Sequence, residues 1–510
     1  MVDRLPIDDI LPDLVAALRD QRRAVVQAPP GAGKTTRVPL AMLEGGLTDD
    51  RIVLLEPRRL AARTAAARMA ETLGENIGET VGYRIRGDTK ISRATRIEVV
   101  TEGILTRMIQ SDAALDGIGA LIFDEFHERS LNADLGLALA LDVRSSLRPD
   151  LVLVAMSATL DAAPVAALMQ NAPVITSEGQ TFPVDTQWLE RPLSKNQTRE
   201  VAMANLIVQA AASGEGGILA FLPGEREIRR VASELKGRIG GSEILPLYGA
   251  LPFAQQRRAV SPLSKGRKIV LASAIAETSL TIPDIRIVVD GGQSRRARYN
   301  PGSGMSRLVT ERVTRAEADQ RRGRAGRVAK GQCFRLWSKG EEGALAPYPP
   351  AEIESADLAS LALELADWGA DTLNFLTPPP HSAMAEAQLL LESLGALDTN
   401  GRITEHGRRL VRMPLHPRLA HMLEVAGKDA APLAALMADR DPMRGAGADL
   451  TKRLDALSSG QAGSIFDRIR LESRRLAKLA SDGEQMDPAE QAALAYPDRI
   501  GLRGQGEEPR

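Results

Sequence analysis

The chain has 510 residues, 44% hydrophobic and 26% charged, with a net charge of −1 and one cysteine. That length exceeds a single core and implies about three to four domains. A lone cysteine excludes an intrachain disulfide framework and any cysteine-based zinc site, and fits a reducing, cytoplasmic setting. No apolar run approaches bilayer-spanning length, and the start MVDRLP lacks the charged and apolar regions of a secretory signal. No membrane partner is therefore expected. Aromatic residues make up only 3%, which disfavours a platform of stacked bases and favours contacts to a phosphate backbone.

Short apolar runs alternate with helical segments, the pattern of parallel α/β architecture. In the first half, strands are predicted at 24–27, 52–55, 97–100, 121–123 and 151–155, with a helix at 60–73. The first strand runs into Ala28-Pro29-Pro30-Gly31-Ala32-Gly33-Lys34-Thr35-Thr36. A strand, a glycine-rich turn and a helix start form a phosphate cradle: backbone N–H groups and the helix end meet the triphosphate. Lys34 then reaches the β and γ phosphates and the Thr35 hydroxyl is placed for Mg²⁺.

The strand at 121–123 ends in Asp124-Glu125, followed by Phe126-His127-Glu128-Arg129. Beside a phosphate cradle, Asp124 suits Mg²⁺ and Glu125 suits orienting and deprotonating water. His127 alone fits a structural histidine equally well. The next strand delivers Ser157-Ala158-Thr159, two hydroxyls in a turn suited to coupling.

The α/β pattern restarts after Thr181-Phe182-Pro183, with strands predicted at 217–222, 244–247, 268–272 and 285–289. No second cradle occurs, so the tandem units house one nucleotide. Between Asp290 and Lys330 eleven Arg/Lys stand against four Asp/Glu, a run as compatible with a solvated face as with a polyanion partner. It ends in Gln320-Arg321-Arg322-Gly323-Arg324-Ala325-Gly326-Arg327. Arg324 and Arg327 are one turn apart and share a face; such arginines, supplied across a cleft, neutralise charge developing on a γ-phosphate. Cys333 lies in a strand-like apolar segment and reads as inert core.

After Trp337 the character becomes helical beyond Pro347-Tyr348-Pro349-Pro350, with helices predicted at 356–368 and 383–394. A hairpin-turn signal at 398–402, flanked by short strands, suggests a winged helix. Residues 410–496 read as helical again.

The ordered set APPGAGKTT, EPRRLAAR, TEGIL, DEFH, SAT, SAIAETSLTI and QRRGRAGR resembles the DEAH/RHA helicases of superfamily 2. DEFHER, with His416-Pro417-Arg418-Leu419-Ala420 and Arg440-Asp441-Pro442, is most similar to the bacterial HrpB type. The resemblance implies an α/β fold of two tandem RecA-like P-loop domains (1–178 and 179–344, the second with a hairpin near 292–312). A winged-helix domain (345–412), an all-α ratchet domain (413–500) and a polar tail (501–510) would follow.

The resemblance further implies catalytic roles for Lys34, Glu125, His127, Gln320, Arg324 and Arg327. It implies nucleotide contacts from Pro30, Gly31, Ala32, Gly33, Lys34, Thr35, Thr36, Arg68 and Ser279, with Arg68 covering one face of the base. Mg²⁺ would be held by Thr35 and Asp124. Nucleic acid would meet Arg58, Arg59, Thr101 and Thr278, with coupling through Ser157 and Thr159. Asn300-Pro301-Gly302-Ser303-Gly304 fits the tip of the family's hairpin between the last two motifs, which would act as a wedge or a ratchet pawl.

Three departures stand out. Ser273-Ala274 replaces the family's Thr-Asn, Val260 replaces an aromatic that covers the other base face, and relatives continue into an OB-like fold beyond the ratchet. The Val260 change implies weak base discrimination, so other nucleoside triphosphates would serve beside ATP. The expected function is a monomeric, Mg-ATP-dependent helicase moving 3′→5′ along single-stranded RNA, or DNA, and opening duplexes. The alternative is an ATP-gated RNA clamp that hydrolyses ATP with little unwinding.

Overall fold

In this computed structural model the described residues are 4–29, 31–158, 162–179, 182–194, 196–263, 265–277, 282–300, 305–369, 373–443 and 445–501. They form two compact units. The first holds both α/β sheets, including Ser306–Ala356, and also takes in Leu373–Pro378. The second is helical, chiefly Asp357–Thr372 and Pro379–Arg510.

The first sheet follows α1 (Leu11–Gln21). In chain order its elements are β1 (Arg23–Gln27), α2 (Lys34–Glu44), β2 (Arg51–Leu55), α3 (Arg59–Leu73), β3 (Val81–Ile85), β4 (Asp88–Lys90), β5 (Ile97–Val100), α4 (Glu102–Ser111), β6 (Ile118–Phe123), α5 (Leu131–Ser146), β7 (Val152–Ser157), α6 (Ala162–Leu168) and β8 (Val174–Thr176). The strand order is β4-β3-β5-β2-β6-β7-β1-β8. The pairings are parallel except for the β3/β4 hairpin. Strands β5, β6 and β7 are buried along their whole length, as parallel strands covered on both faces must be.

The second sheet runs through β9 (Val184–Leu189), α7 (Arg199–Ser213), β10 (Gly217–Phe221), α8 (Glu225–Glu234), β11 (Ser242–Leu247), α9 (Phe253–Val260), β12 (Arg267–Ala272) and β13 (Ile285–Asp290). Then come the two-stranded ribbon β14 (Gln293–Asn300) and β15 (Met305–Arg312), helix α10 (Arg315–Gly323), β16 (Gly331–Ser338) and the short α11 (Lys339–Glu342). The order is β11-β12-β10-β13-β16-β9, all parallel. Cys333 on β16 is fully buried, and burial pushes its thiol up to about 12; it is core. The ribbon falls where the hairpin is expected, although 301–304 lie outside the described residues.

In the second unit, α12 (Ala359–Trp368), α13 (His381–Ser393) and α14 (Glu405–Val411) precede α15 (Pro417–Ala426), α16 (Ala431–Met437), α17 (Thr451–Ser458), α18 (Ser464–Ala477) and α19 (Pro488–Ala495). The expected short strands around 398–402 reduce to one antiparallel bridge, Leu397 to Ile403. The turn itself is tight: Asp398 Oδ1 accepts from the amides of Asn400 and Arg402 at 2.8 and 2.9 Å, and Gly401 takes φ +75°. The HPRLA and RDP segments anchor ion pairs. Arg418 grips both carboxylate oxygens of Asp498, and Asp441 receives Arg453 at 2.8 and 2.7 Å.

Candidate nucleotide site and inter-lobe interface

Parallel sheets present ligand sites at the carboxyl ends of their strands. In the first lobe β7 lies between β1 and β6, with Gln27 beside Ser157 and Phe123 beside Ala155. That register brings the loop after β1, the acids after β6 and the turn after β7 to one edge. The loop turns through Gly31 at φ +90° and Gly33 at φ +97°. A β-carbon on Gly33 would meet Leu5 Cδ1 at 2.6 Å and force that side chain to shift, and the left-handed φ favours glycine there. Helix α2 begins at Lys34, and Ala32 is buried. Thr36 Oγ1 donates back to the Gly33 carbonyl at 3.3 Å. Pro30 lies outside the described residues.

Lys34 is 4% exposed, with Nζ 3.3 Å from Glu125 Oε2. Burial works against its ammonium, but Glu125 and Asp124 outweigh burial and hold its pKa above the ordinary value. Thr35 Oγ1 donates to Asp124 Oδ2, and Asp124 Oδ1 accepts the Glu125 amide at 2.7 Å. Burial raises the pKa of Asp124, helped by neighbouring Glu125 and opposed by Lys34. For Glu125 burial is overcome by Lys34, His127 and Arg324, and its carboxyl is held down. Glu125 adopts φ +49°, a strained conformation for a non-glycine residue.

His127 is 7% exposed and joins three motifs. Its Nδ1 lies 3.4 Å from Glu125 Oε2 and 3.4 Å from the Ala158 amide, and its Nε2 is 3.0 Å from Gln320 Nε2 on the second lobe. Burial lowers its pKa, favouring a neutral ring. A neutral ring either accepts the Ala158 amide proton at Nδ1, or donates from Nδ1 to Glu125 while Nε2 accepts from the Gln320 amide; one tautomer cannot do both. Ser157 is buried at the β7 end; Thr159 lies outside the described residues.

The arginine motif continues α10 into a 3₁₀ turn at Arg324–Gly326. In such a turn positions three apart eclipse, so Arg324 and Arg327 share a face by 3₁₀ rather than α geometry. Arg324 Nε donates to the Glu277 carbonyl at 3.0 Å. Arg327 reaches the first lobe: a β-carbon on Gly31 would lie 3.7 Å from its Nε. Burial lowers the pKa of both guanidiniums, Arg324 further because Arg327 is near, and Arg327 to about 10. A pair of crowded cations facing a glycine-rich loop suits a polyanion.

Sequence reasoning missed what holds this motif. Arg321 is 1% exposed, with Nη1 2.7 Å from Asp290 Oδ1 and Nε 2.7 Å from Glu277 Oε1; its guanidinium also lies 5.0 Å from the Phe221 ring centre. The signal was an acid, Asp290, closing the apolar strand IRIVVD.

Of the expected nucleic-acid contacts, Arg59 is exposed and Thr101 half-buried at the start of α4. Thr278 and Ser279 lie outside the described residues. Arg58 is engaged between the lobes, donating to the Ala274 carbonyl at 2.8 Å and to Glu128 Oε1 at 3.1 Å. Arg68 is exposed on α3 and Val260, closing α9, packs on the second-lobe core. The basic run near the ribbon is largely consumed internally: Arg295 pairs with Glu227, Arg296 with Glu311 and Glu317, Arg298 with Glu311 and Arg312 with Glu341. Internal pairing reduces what is available to a polyanion.

The hydroxyl of Thr35 and the carboxylate of Asp124 form a hard-oxygen pair that fits Mg²⁺. Among the described residues no group of three His, Cys, Asp or Glu could hold a metal alone, so phosphate oxygens and water would complete the shell. No described helix is long and apolar enough to cross a membrane.

A glycine-rich loop, a paired-acid strand end and facing arginines on a second parallel sheet define the tandem RecA-like P-loop class. Residues 11–168 match the DEAD/DEAH box helicase family, 200–329 the helicase conserved C-terminal domain and 387–415 the helicase associated domain (HA2), winged-helix. The chain belongs to the DEAD/DEAH-box helicases. It is 45% identical over 456 residues to the ATP-dependent RNA helicase HrpB of Escherichia coli, covering 88% of this chain and 56% of that protein. It is 36% identical to E. coli HrpA over 84% of this chain and 34% of that protein. The crystal structure of the E. coli DEAH/RHA helicase HrpB superposes with a TM-score of 0.88 at 41% identity, covering 98% of this chain and 64% of that one. The chain thus spans little more than half the length of HrpB.

Proposed function

We propose that this chain is an ATP-dependent RNA helicase motor that couples Mg-ATP hydrolysis to 3′→5′ movement along a single strand. Residues 1–178 and 179–344 act as the two lobes, with 345–412 as winged helix and 413–500 as ratchet. The observation that carries this reading is Arg327 of the second lobe reaching the Gly31 loop of the first. A triphosphate between them would touch Lys34 on one side and Arg324 and Arg327 on the other. Lys34, drawn to the phosphates, would leave Glu125, which it now holds down at 3.3 Å. Glu125 would then become a stronger base for the attacking water. Mg²⁺, held by Thr35 and Asp124, would neutralise phosphate charge.

Arg327 and Arg324 would stabilise the charge of transfer. The Gln320–His127 contact and the Arg58–Ala274 bond would carry the change between lobes. Backbone contacts from Arg59, Thr101 and Thr278 would read little sequence, and affinity should fall steeply with salt.

An RNA-stimulated ATPase assay beside duplex unwinding tests the proposal. Stimulated hydrolysis with ATP-dependent release of a strand is expected with RNA, and the same assay on DNA assigns the natural strand. Stimulated hydrolysis without strand release identifies an ATP-gated clamp instead.

A further inference from the structure

Arg129 closes the DEFHER loop at φ +50°, matching Glu125 at φ +49° at its other end. Between them a 3₁₀ turn spans Phe126–Glu128, closed by Glu128 N to Glu125 O at 2.8 Å and Arg129 N to Phe126 O at 3.1 Å. Two left-handed residues around one short turn leave little slack, so displacement at Glu125 moves Arg129.

Arg129 in turn holds chain segments far away in sequence. Its Nε and Nη2 donate to the two oxygens of Asp134 at 3.1 and 3.0 Å, and Nη2 also donates to Thr377 Oγ1 at 2.8 Å. Its carbonyl accepts the Glu352 amide at 3.0 Å, while Glu352 Oε2 accepts the Leu131 amide at 2.8 Å, at the start of α5. Glu352 and Thr377 belong to the first unit, yet they lie on the stretches by which the chain leaves for Asp357–Thr372 and departs again at Pro379. Beside this clasp is a cavity of about 660 Å³, bordered by Arg129, Glu352, Thr377 and Gln320. Directed polar contacts rather than dense packing therefore hold the strands on that side.

We propose that Arg129 is the coupling residue of the motor: it ties the loop carrying Glu125 to the two crossing segments and so transmits nucleotide state to the helical unit. This inference rests on the proposed ATPase reading. Arg129 acts through the loop that carries Glu125; it is a positioning residue. Lysine cannot replace it, because only the planar guanidinium bonds both Asp134 oxygens and Thr377 together.

The test uses the whole chain and a labelled single-stranded oligouridylate, titrated with ADP and with ADP plus beryllium fluoride. The ratio of the two RNA Kd values measures coupling, and a linked motor should show a ratio of about fivefold or more. R129K and the near-isosteric T377V should bring that ratio to within about twofold of one. The KM for ATP and the melting temperature should hold. Variants that keep the parent ratio overturn the proposal, as do variants in which ATP affinity, turnover and melting temperature fall together. A parent ratio of one with intact RNA-stimulated hydrolysis overturns the coupling while leaving the ATPase reading standing. A parent that does not hydrolyse ATP sinks that reading and this inference with it.

Discussion

Gln320 on the second lobe and His127 on the first meet at 3.0 Å through their Nε2 atoms, and the same imidazole lies 3.4 Å from Glu125 Oε2. One buried ring therefore links the arginine-bearing helix to Glu125, the proposed general base. If they act as one unit, Q320A and H127A should each lower kcat for ATP with little change in KM. The double variant should cost no more than the worse single one. A double-mutant cycle on kcat should give an interaction of about 1–2 kcal/mol. Additive losses would separate the two residues.

On the proposed mechanism Lys34 serves binding and Glu125 serves chemistry. K34A should lose nucleotide binding in a fluorescent-nucleotide titration. E125Q should bind ATP and retain it unhydrolysed, with turnover down about 10²–10⁴-fold. Free turnover by E125Q would move the base elsewhere.

Val260, expected to stand where relatives carry a base-covering aromatic, packs on the second-lobe core. The parent should hydrolyse all four nucleoside triphosphates with comparable kcat/KM, and V260F should gain about tenfold for purines, the value of one base–aromatic stack. A strict ATP requirement in the parent would contradict this.

Burial pushes the carboxyl of Glu102 up to about 7, against the hydrogen bond from Ser130. Its folded pKa exceeds its unfolded one, so the folded state binds this proton more tightly. The stability it contributes is full below about pH 4.5 and is lost as pH rises towards about 7. Thermal melts should show E102Q matching the parent near about pH 5 and exceeding it near about pH 8, by up to about 3 kcal/mol. Equal loss at both pH values would show that the glutamine disturbs packing.

The sequence revealed most interior strands and the edge strand β11, but not the interior strand β3 or the edge strands β4, β8 and β9. Fully buried strands such as β6 and β7 read as continuous apolar runs, whereas β4, β8 and β9 are edge strands with half-exposed residues and no clean pattern. The loop, the acids and the arginines were legible because phosphate chemistry fixes residue type and spacing together. Arg58 was not: the same basic motif serves a phosphate or a carbonyl, and only folding shows Ala274 opposite it. Asp290, Glu277 and Arg321 escaped because their partnership spans separate elements, and Arg129 because two of its partners, Glu352 and Thr377, lie more than two hundred residues away.

The whole reading depends on the second lobe completing the nucleotide pocket of the first. Single-turnover ATP hydrolysis by R327A, measured beside its ATP Kd, tests that dependence most directly. The Kd should stay within about threefold of the parent while hydrolysis slows by about 10³-fold; hydrolysis at the parent rate would show that Arg327 takes no part in phosphoryl transfer.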